Sequence, residues 1–293
     1  MDRILLTGAS GFVGKEVYDV LSGTYDVTGT DIVSSPSIYK MDVTDPQIIR
    51  QILKILNPFD AVVHMAALVA GPPSERKPRD YLRVNVMGTV NVLEAMRKED
   101  IPYIVFMSSW STFGNDIPLP INETTSQNPK NPYGTSKVMA EKAVKLYSDL
   151  YGIKATILRP TMIYGPRQTE KNVVQQIVDC METGQPFEIW GEGTHTKELL
   201  HVNDMAWIIE NCLNSRPEYK IYVVGTENPL MIREVAETGQ KIAPFPIKFV
   251  PSNKWVFNQR SDMTKIKTEL GVDPIRFKTM EEGLRECLEY RKV

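Results

Sequence analysis

Two short stretches carry residues whose types and spacing suit chemistry. In NPYGTSK, residues 131–137, Tyr133 and Lys137 stand four apart. A helix would carry both on one face, about 6 Å apart along its axis. An ammonium held there stabilises a tyrosinate and lowers a phenol from about 10 toward neutrality, which makes it usable as a general acid or base. In a chain with 12 tyrosines, chance alone supplies about one such pair, so the spacing needs support from position. That support is present: the pair opens the helical pattern after a strand-like run, Tyr103 to Met107, whose end is the serine-rich MSSWSTFG, residues 107–114. Hydroxyls at the carboxyl end of a parallel strand lie where open α/β sheets bind ligands, although a serine-rich strand end can also be only a hydrogen-bonded turn.

The second stretch is TGASGFVG, residues 7–14, directly after Ile4-Leu5-Leu6. Gly8, Gly11 and Gly14 punctuate the passage from a first strand to a first helix. Glycine there permits a tight turn, close approach of backbone to a phosphate and close helix-to-strand packing. The loop residues Ser10, Phe12 and Val13 would present backbone to an anion at the helix N-terminus. The spacing departs from GxGxxG, so the loop alone is weak. Asp31 closes a second strand 17 residues past Gly14, where a carboxylate accepts hydrogen bonds from an adenosine ribose. The segment 32–37 that follows has no Lys or Arg to neutralise a 2′-phosphate, which Asp31 would repel. NAD is therefore expected rather than NADP.

The elements that must position these residues alternate. Strand-like runs lie at Arg3 to Leu6, Asp26 to Thr30, Ala61 to His64, Tyr103 to Met107 and Lys154 to Leu158, with helical patterns near 12–22, 46–56, 79–98 and 132–151. Strand, helix, strand predicts a Rossmann-type, doubly wound parallel α/β sheet. After about residue 165 eight prolines, from Pro166 to Pro274, punctuate shorter elements. We expect an NAD-binding domain over 1–165, with segments near 195–225 returning to it, and a smaller substrate-binding lobe over most of 166–293.

A net charge of −2 and a pI near 6.0 give no electrostatic case for nucleic acid. Cys180, Cys212 and Cys287 lie far apart with no CxxC spacing, so neither a disulfide framework nor a metal site is expected, and a reducing cytoplasm fits. No apolar run reaches the roughly 18 residues of a membrane span.

Taken in order, TGASGFVG, Asp31, Met41-Asp42-Val43, His64-Met65-Ala66-Ala67, Asn85-Val86-Met87-Gly88-Thr89, SSWSTFG, YGTSK, LRPTMIYGPR and HVNDMA resemble an extended short-chain dehydrogenase/reductase of the NAD-dependent sugar epimerase/dehydratase family. Residues 260–271 resemble that family's C-terminal part. The resemblance implies a seven-stranded parallel sheet and a C-terminal lobe closing over a nucleotide-activated sugar. It makes Tyr133 the acid/base, Lys137 the residue that lowers its pKa and bonds the nicotinamide ribose, and Ser109 the partner of the reacting hydroxyl, with Ser108 and Ser111 its nearest rivals. Asp42 and Val43 would contact adenine, Ala66 and Ala67 would flank the pyrophosphate, and Asn85 would lie near the cofactor. His64 is read as a satisfied histidine at a strand end. A homodimer through the helices near 79–98 and 132–151 is also implied, with Val90, Leu93, Val144 and Tyr147 as exposed-looking positions.

Departures from the family pattern narrow the chemistry. Sugar 4,6-dehydratases of this family place Asp-Glu directly after the active-site Thr, whereas this chain has Trp110-Ser111. Dehydration is therefore not expected. What remains is alcohol oxidation by hydride transfer, and the leading expectation is a nucleotide-sugar epimerase acting at C4 of a nucleoside-diphosphate hexose through a 4-keto intermediate. The alternative is a sugar dehydrogenase or 4-ketosugar reductase with exchangeable cofactor. An Asn that many relatives use for the diphosphate is replaced within Arg159-Pro160-Thr161-Met162, and an arginine becomes Lys197, a point charge rather than a bidentate fork. Ser111, Thr161, Lys197 and Arg260 are the candidate substrate contacts, with Lys254 more plausibly a solvated charge.

Overall fold

The computed structural model describes residues 1–56, 58–69, 71–115, 117–251 and 257–292. Seven strands form one parallel sheet: β1 (Arg3–Thr7), β2 (Asp26–Asp31), β3 (Ile38–Lys40), β4 (Ala61–His64), β5 (Tyr103–Met107), β6 (Lys154–Pro160) and β7 (Tyr219–Val224). Their spatial order is β7-β6-β5-β4-β1-β2-β3, so the winding reverses between β1 and β4. Thr7 at the end of β1 stands opposite Thr30 of β2 and His64 of β4. The carboxyl ends of β1, β4 and β5 therefore meet at the switch point, where doubly wound sheets bind ligands.

Burial on both faces explains why these strands are short apolar runs. Alternate residues of β1 point to opposite layers. Ile4 and Leu6 pack with Val17, Leu21, Met205 and Ile209, whereas Leu5 packs with Ile49, Leu53, Val92 and Met96. Those side chains come from α1 (Phe12–Leu21), α2 (Pro46–Leu56), α3 (Gly88–Lys98) and α6 (Val202–Ser215); the other helices are labelled α4 (Pro132–Tyr151), α5 (Val173–Thr183), α7 (Ile232–Ile242), α8 (Thr264–Leu270) and α9 (Met280–Tyr290). Before α3 the chain is helical from Pro78, but Leu82–Met87 is a π-helical turn. Hydrophobic spacing does not reveal such a turn, since the apolar stripe runs through it.

A separate apolar cluster joins Tyr164, Ile177, Val178, Phe187, Val235, Leu284 and Leu288, which come from α5, α7, α9 and the segments between. It forms the core of a C-terminal lobe built on its own short parallel strand pair, Phe187–Trp190 with Ile247–Val250. Among the described residues no helix is long and apolar enough to cross a membrane.

Candidate active site

The glycine turn is built by contact. Gly8 has φ +77, and a Cβ on it would lie 2.7 Å from the Ala66 nitrogen. A Cβ on Gly14 would lie 2.0 Å from the Gly8 oxygen, so α1 starts pressed against the turn. No side chain caps the α1 N-terminus and no acidic residue stands in its first turn. Its leading N–H groups, at Phe12 and Val13, are thus available to an anion. Asp31 faces this turn: Oδ2 accepts from the Ser10 N–H at 3.0 Å and Oδ1 from the Ile32 N–H at 2.7 Å. A carboxylate beside an open helix N-terminus fits a dinucleotide, with the ribose on Asp31 and the pyrophosphate on the glycine turn.

The neighbouring loops are tied by side chains. Asp42 accepts from the Thr44 N–H and hydroxyl, both at 2.8 Å, and Val43 is buried where Gly88 approaches it. Asn85 spends its amide on the protein: it accepts from the Leu68 N–H at 2.8 Å and donates to the Leu68 carbonyl and to Ser136 Oγ, each at 2.9 Å. It therefore fixes the loop after β4 that contains Ala66 and Ala67.

The sequence NPYG starts α4 for local reasons. Asn131 caps it by accepting from the Gly134 N–H at 2.8 Å, Pro132 takes the first turn, and Gly152 in the left-handed region ends it. Tyr133, Lys137 and Glu141 then form a stripe of three buried residues spaced by four. Ser109 lies beside the Tyr133 phenol in one cavity wall, and its Oγ accepts from the Ser111 N–H at 3.1 Å. Its rival Ser108 is committed elsewhere, donating to Glu141 Oε1 at 2.5 Å.

The electrostatics differ from what spacing alone suggests. Burial pushes the Tyr133 phenol up to about 12, opposed by the neighbouring Ser109 hydroxyl, and the Glu170 carboxylate raises it further. The Lys137 ammonium is not hydrogen-bonded to the phenol. Lys137 Nζ instead donates to the Met107 carbonyl at 2.8 Å and lies 5.1 Å from the centre of the Phe106 ring. Burial lowers Lys137 to about 8, opposed by the Glu141 charge. Placing two groups on one helical face did not make them direct partners, because β5 offers the ammonium a carbonyl first.

Ser109 and Tyr133 open into a cavity of about 330 Å³ whose wall also includes Ser111, Thr161, Met162 and Gln259. Its charged wall residues, among those described, are Lys130 and Glu170. Thr161 and Gln259 are 6% and 5% exposed, and Thr161 Oγ1 and Gln259 Oε1 have no protein partner. Lys197 is not in that wall: its Nζ donates to the Phe257 carbonyl at 2.9 Å and rests on the Phe257 ring, and burial lowers it to about 7. Arg260 is exposed, and Lys254 lies outside the described residues. No group of three or more His, Cys, Asp or Glu that could hold a metal ion occurs among the described residues.

Reading for catalytic types overlooked Glu141, Arg159 and Gln259. Glu141 was detectable as the next residue of the Tyr133 and Lys137 stripe. Arg159, which pairs with it, carries no local signal because the partners are 18 residues apart on different elements.

The chain is similar to known proteins over most of its length. The model of the NAD dependent epimerase/dehydratase family matches residues 4–225. A putative UDP-glucose 4-epimerase of Methanocaldococcus jannaschii is 35% identical over 246 residues, covering 79% of each chain. A UDP-glucose 4-epimerase of Streptococcus mutans is 33% identical and covers 82% of each. Among solved structures, UDP-glucose 4-epimerase of Thermotoga maritima with UDP-glucose superposes with a TM-score of 0.90 at 27% identity, covering 99% of this chain and 98% of that one. With the glycine turn, the acidic end of β2 and the serine-tyrosine-lysine cluster all at the sheet's switch point, this chain belongs to the NAD dependent epimerase/dehydratase family.

Proposed function

We propose that the protein is an NAD-dependent nucleotide-sugar 4-epimerase acting on a nucleoside-diphosphate hexose, with UDP-glucose the first substrate to try. The observation that carries this reading is the cavity in which Ser109 and Tyr133 share a wall with the hydroxyls of Ser111 and Thr161 and the amide of Gln259. Such a lining suits a polyhydroxylated ring. Relatives bearing the 4-epimerase name and the family match supply the remaining support. Trp110-Ser111 in place of an acidic pair argues against water elimination.

In this reading Ser109 orients the sugar hydroxyl and Tyr133 takes its proton as general base, then returns it as general acid. Lys137, anchored on the Met107 carbonyl, holds its ammonium for the cofactor ribose. Bound oxidised NAD supplies a hydride acceptor and a positive charge. A positive charge near the phenol opposes the effect of burial and favours the phenolate. Gly8, Ser10, Gly11, Phe12, Val13, Gly14 and Asp31 would hold the dinucleotide, with Asp42, Val43, Ala66 and Ala67 along its path. Residues 1–165, with segments near 195–225 that include α6 and β7 returning to them, would form the cofactor-binding unit and most of 166–293 the substrate lobe. Free, buried cysteines at 180, 212 and 287 support a reducing cytoplasm.

An epimerase regenerates its cofactor at every turnover and has no need to release it. Protein purified without added nucleotide and then denatured should release near-stoichiometric NAD or NADH, identified by mass spectrometry, and should convert UDP-glucose to its C4 epimer. An empty site that exchanges NAD freely would favour the dehydrogenase or reductase reading, and preference for NADPH would overturn the role given to Asp31.

A homodimer through the outer faces of α3 and α4 completes the proposal. Leu93 and Val144 cannot serve, since both lie in the core between helices and sheet. Sheet packing took the positions that looked free. Met139, Leu146, Leu150 and Tyr151 on α4, with Met87 just before α3, are exposed apolar residues there. Sedimentation velocity should give twice the mass of 33.2 kDa, and Met139→Glu with Leu146→Glu should shift it toward the monomer. A monomeric wild type would end this part of the proposal.

A further inference from the structure

A chain of buried polar groups runs from the end of β1 to the start of α4, and its protons can be placed by counting. Thr7 Oγ1 accepts from the Ala66 N–H at 3.2 Å and shares the Met65 N–H with the Thr7 carbonyl, each at 3.2 Å, so its partners other than His64 are all donors. Its own proton is then left for His64 Nδ1, 2.7 Å away. At the other side of the ring, Thr89 Oγ1 donates its only proton to the Asn85 carbonyl at 2.6 Å. It can therefore only accept from His64 Nε2, at 3.0 Å. The two counts are independent and agree: Nδ1 is an acceptor and Nε2 carries the proton. The ring is 1% exposed, and burial, then the Lys137 charge, holds it neutral.

The chain ends on functional backbone at both sides. Thr7 precedes Gly8, on which a Cβ would lie 2.7 Å from the Ala66 nitrogen, so the hydroxyl of Thr7 joins the turn after β1 to the loop after β4. Beyond Thr89, Asn85 grips that same loop at Leu68 and donates to Ser136 Oγ, which donates to the Tyr133 carbonyl at 2.7 Å. The π-helical turn at Leu82–Met87 is the backbone from which Asn85 reaches both.

We propose that His64 is a positioning residue for the cofactor cleft, fixed as the neutral Nε2–H tautomer, which holds Thr7 so that the turn after β1 and the loop after β4 keep their spacing around the dinucleotide. Every hydroxyl in the chain has its proton assigned, so the network is directional and does not relay protons. His64 acts through Thr7 and Thr89 and touches no reacting group.

The first measurement is nitrogen NMR of the wild-type protein with labelled histidine. Nε2 should be the protonated nitrogen and Nδ1 the hydrogen-bonded acceptor; an Nδ1–H or charged ring at neutral pH would overturn the proposal. The second is release of bound NAD, followed by exchange against labelled NAD. Thr7→Val strands the Ala66 N–H, while the Met65 N–H keeps the Thr7 carbonyl, and should speed release about tenfold, with Thr7→Ser near wild type. His64→Asn, which keeps an acceptor near the Nδ1 position, should release NAD more slowly than His64→Leu. A folded Thr7→Val protein that releases NAD at the wild-type rate would overturn the proposal, and where that variant does not fold the wild-type tautomer decides. The proposal rests on NAD occupying the cleft; a wild type that binds no NAD would remove that reading, whereas the tautomer is measured without nucleotide.

Discussion

Tyr133→Phe should lower kcat for C4 inversion by about 10²- to 10⁴-fold while leaving the bound NAD content unchanged. The substitution removes one oxygen from a ring that is 9% exposed and stands edge-on to Tyr81 at 6.2 Å, so packing is retained. What disappears is the phenol beside Ser109, the group proposed to exchange a proton with the sugar hydroxyl. The size of the effect follows from the alternatives. Ser108 is bound to Glu141, His64 is closed within its own hydrogen bonds, and Lys137 is anchored on the Met107 carbonyl. Glu170 also lines the cavity but is exposed. Turnover within tenfold of wild type, with NAD still bound, would show that another group moves the proton and would end the assignment of Tyr133.

Much of this site was legible in the sequence because its signals are local. Three glycines at a spacing of three need a turn, Asn131-Pro132 needs a helix start, and Asp31 needs only the end of its own strand. The seven parallel strands followed from alternation and family resemblance. What stayed hidden depends on contacts between elements. The spacing of Tyr133 and Lys137 says that they share a face, but only the approach of β5 shows that the Met107 carbonyl captures the ammonium. Lys197 reads as a free cation, yet the fold lays it on Phe257. Leu93 and Val144 read as available surface, yet the sheet buries them.

Removing Glu141 should cost the most stability of any single change near the site. Its carboxylate accepts four hydrogen bonds: from Arg159 Nε at 2.9 Å and Nη2 at 2.7 Å, from Ser108 Oγ at 2.5 Å and from Gln127 Nε2 at 2.7 Å. Both side chains of the ion pair are 5% exposed. Glu141→Leu leaves the guanidinium buried without its anion, a loss of about 3–5 kcal/mol for a broken buried pair. For a chain of this size that corresponds to a fall in Tm on the order of 10 °C. Arg159→Met should cost less, because Glu141 would keep the Ser108 and Gln127 donors and can take up a proton, whereas arginine cannot shed one. The double variant Glu141→Leu with Arg159→Met should recover part of the loss, since an apolar pair carries no desolvation penalty. Activity should fall along with stability in Glu141→Leu, because Ser108 precedes Ser109 and Glu141 continues the stripe of Tyr133 and Lys137 on α4. Thermal melts of the three variants check the order: if Glu141→Leu melts within about 2 °C of wild type, this ion pair is not what clamps β5, α4 and β6 together beneath the proposed catalytic hydroxyls.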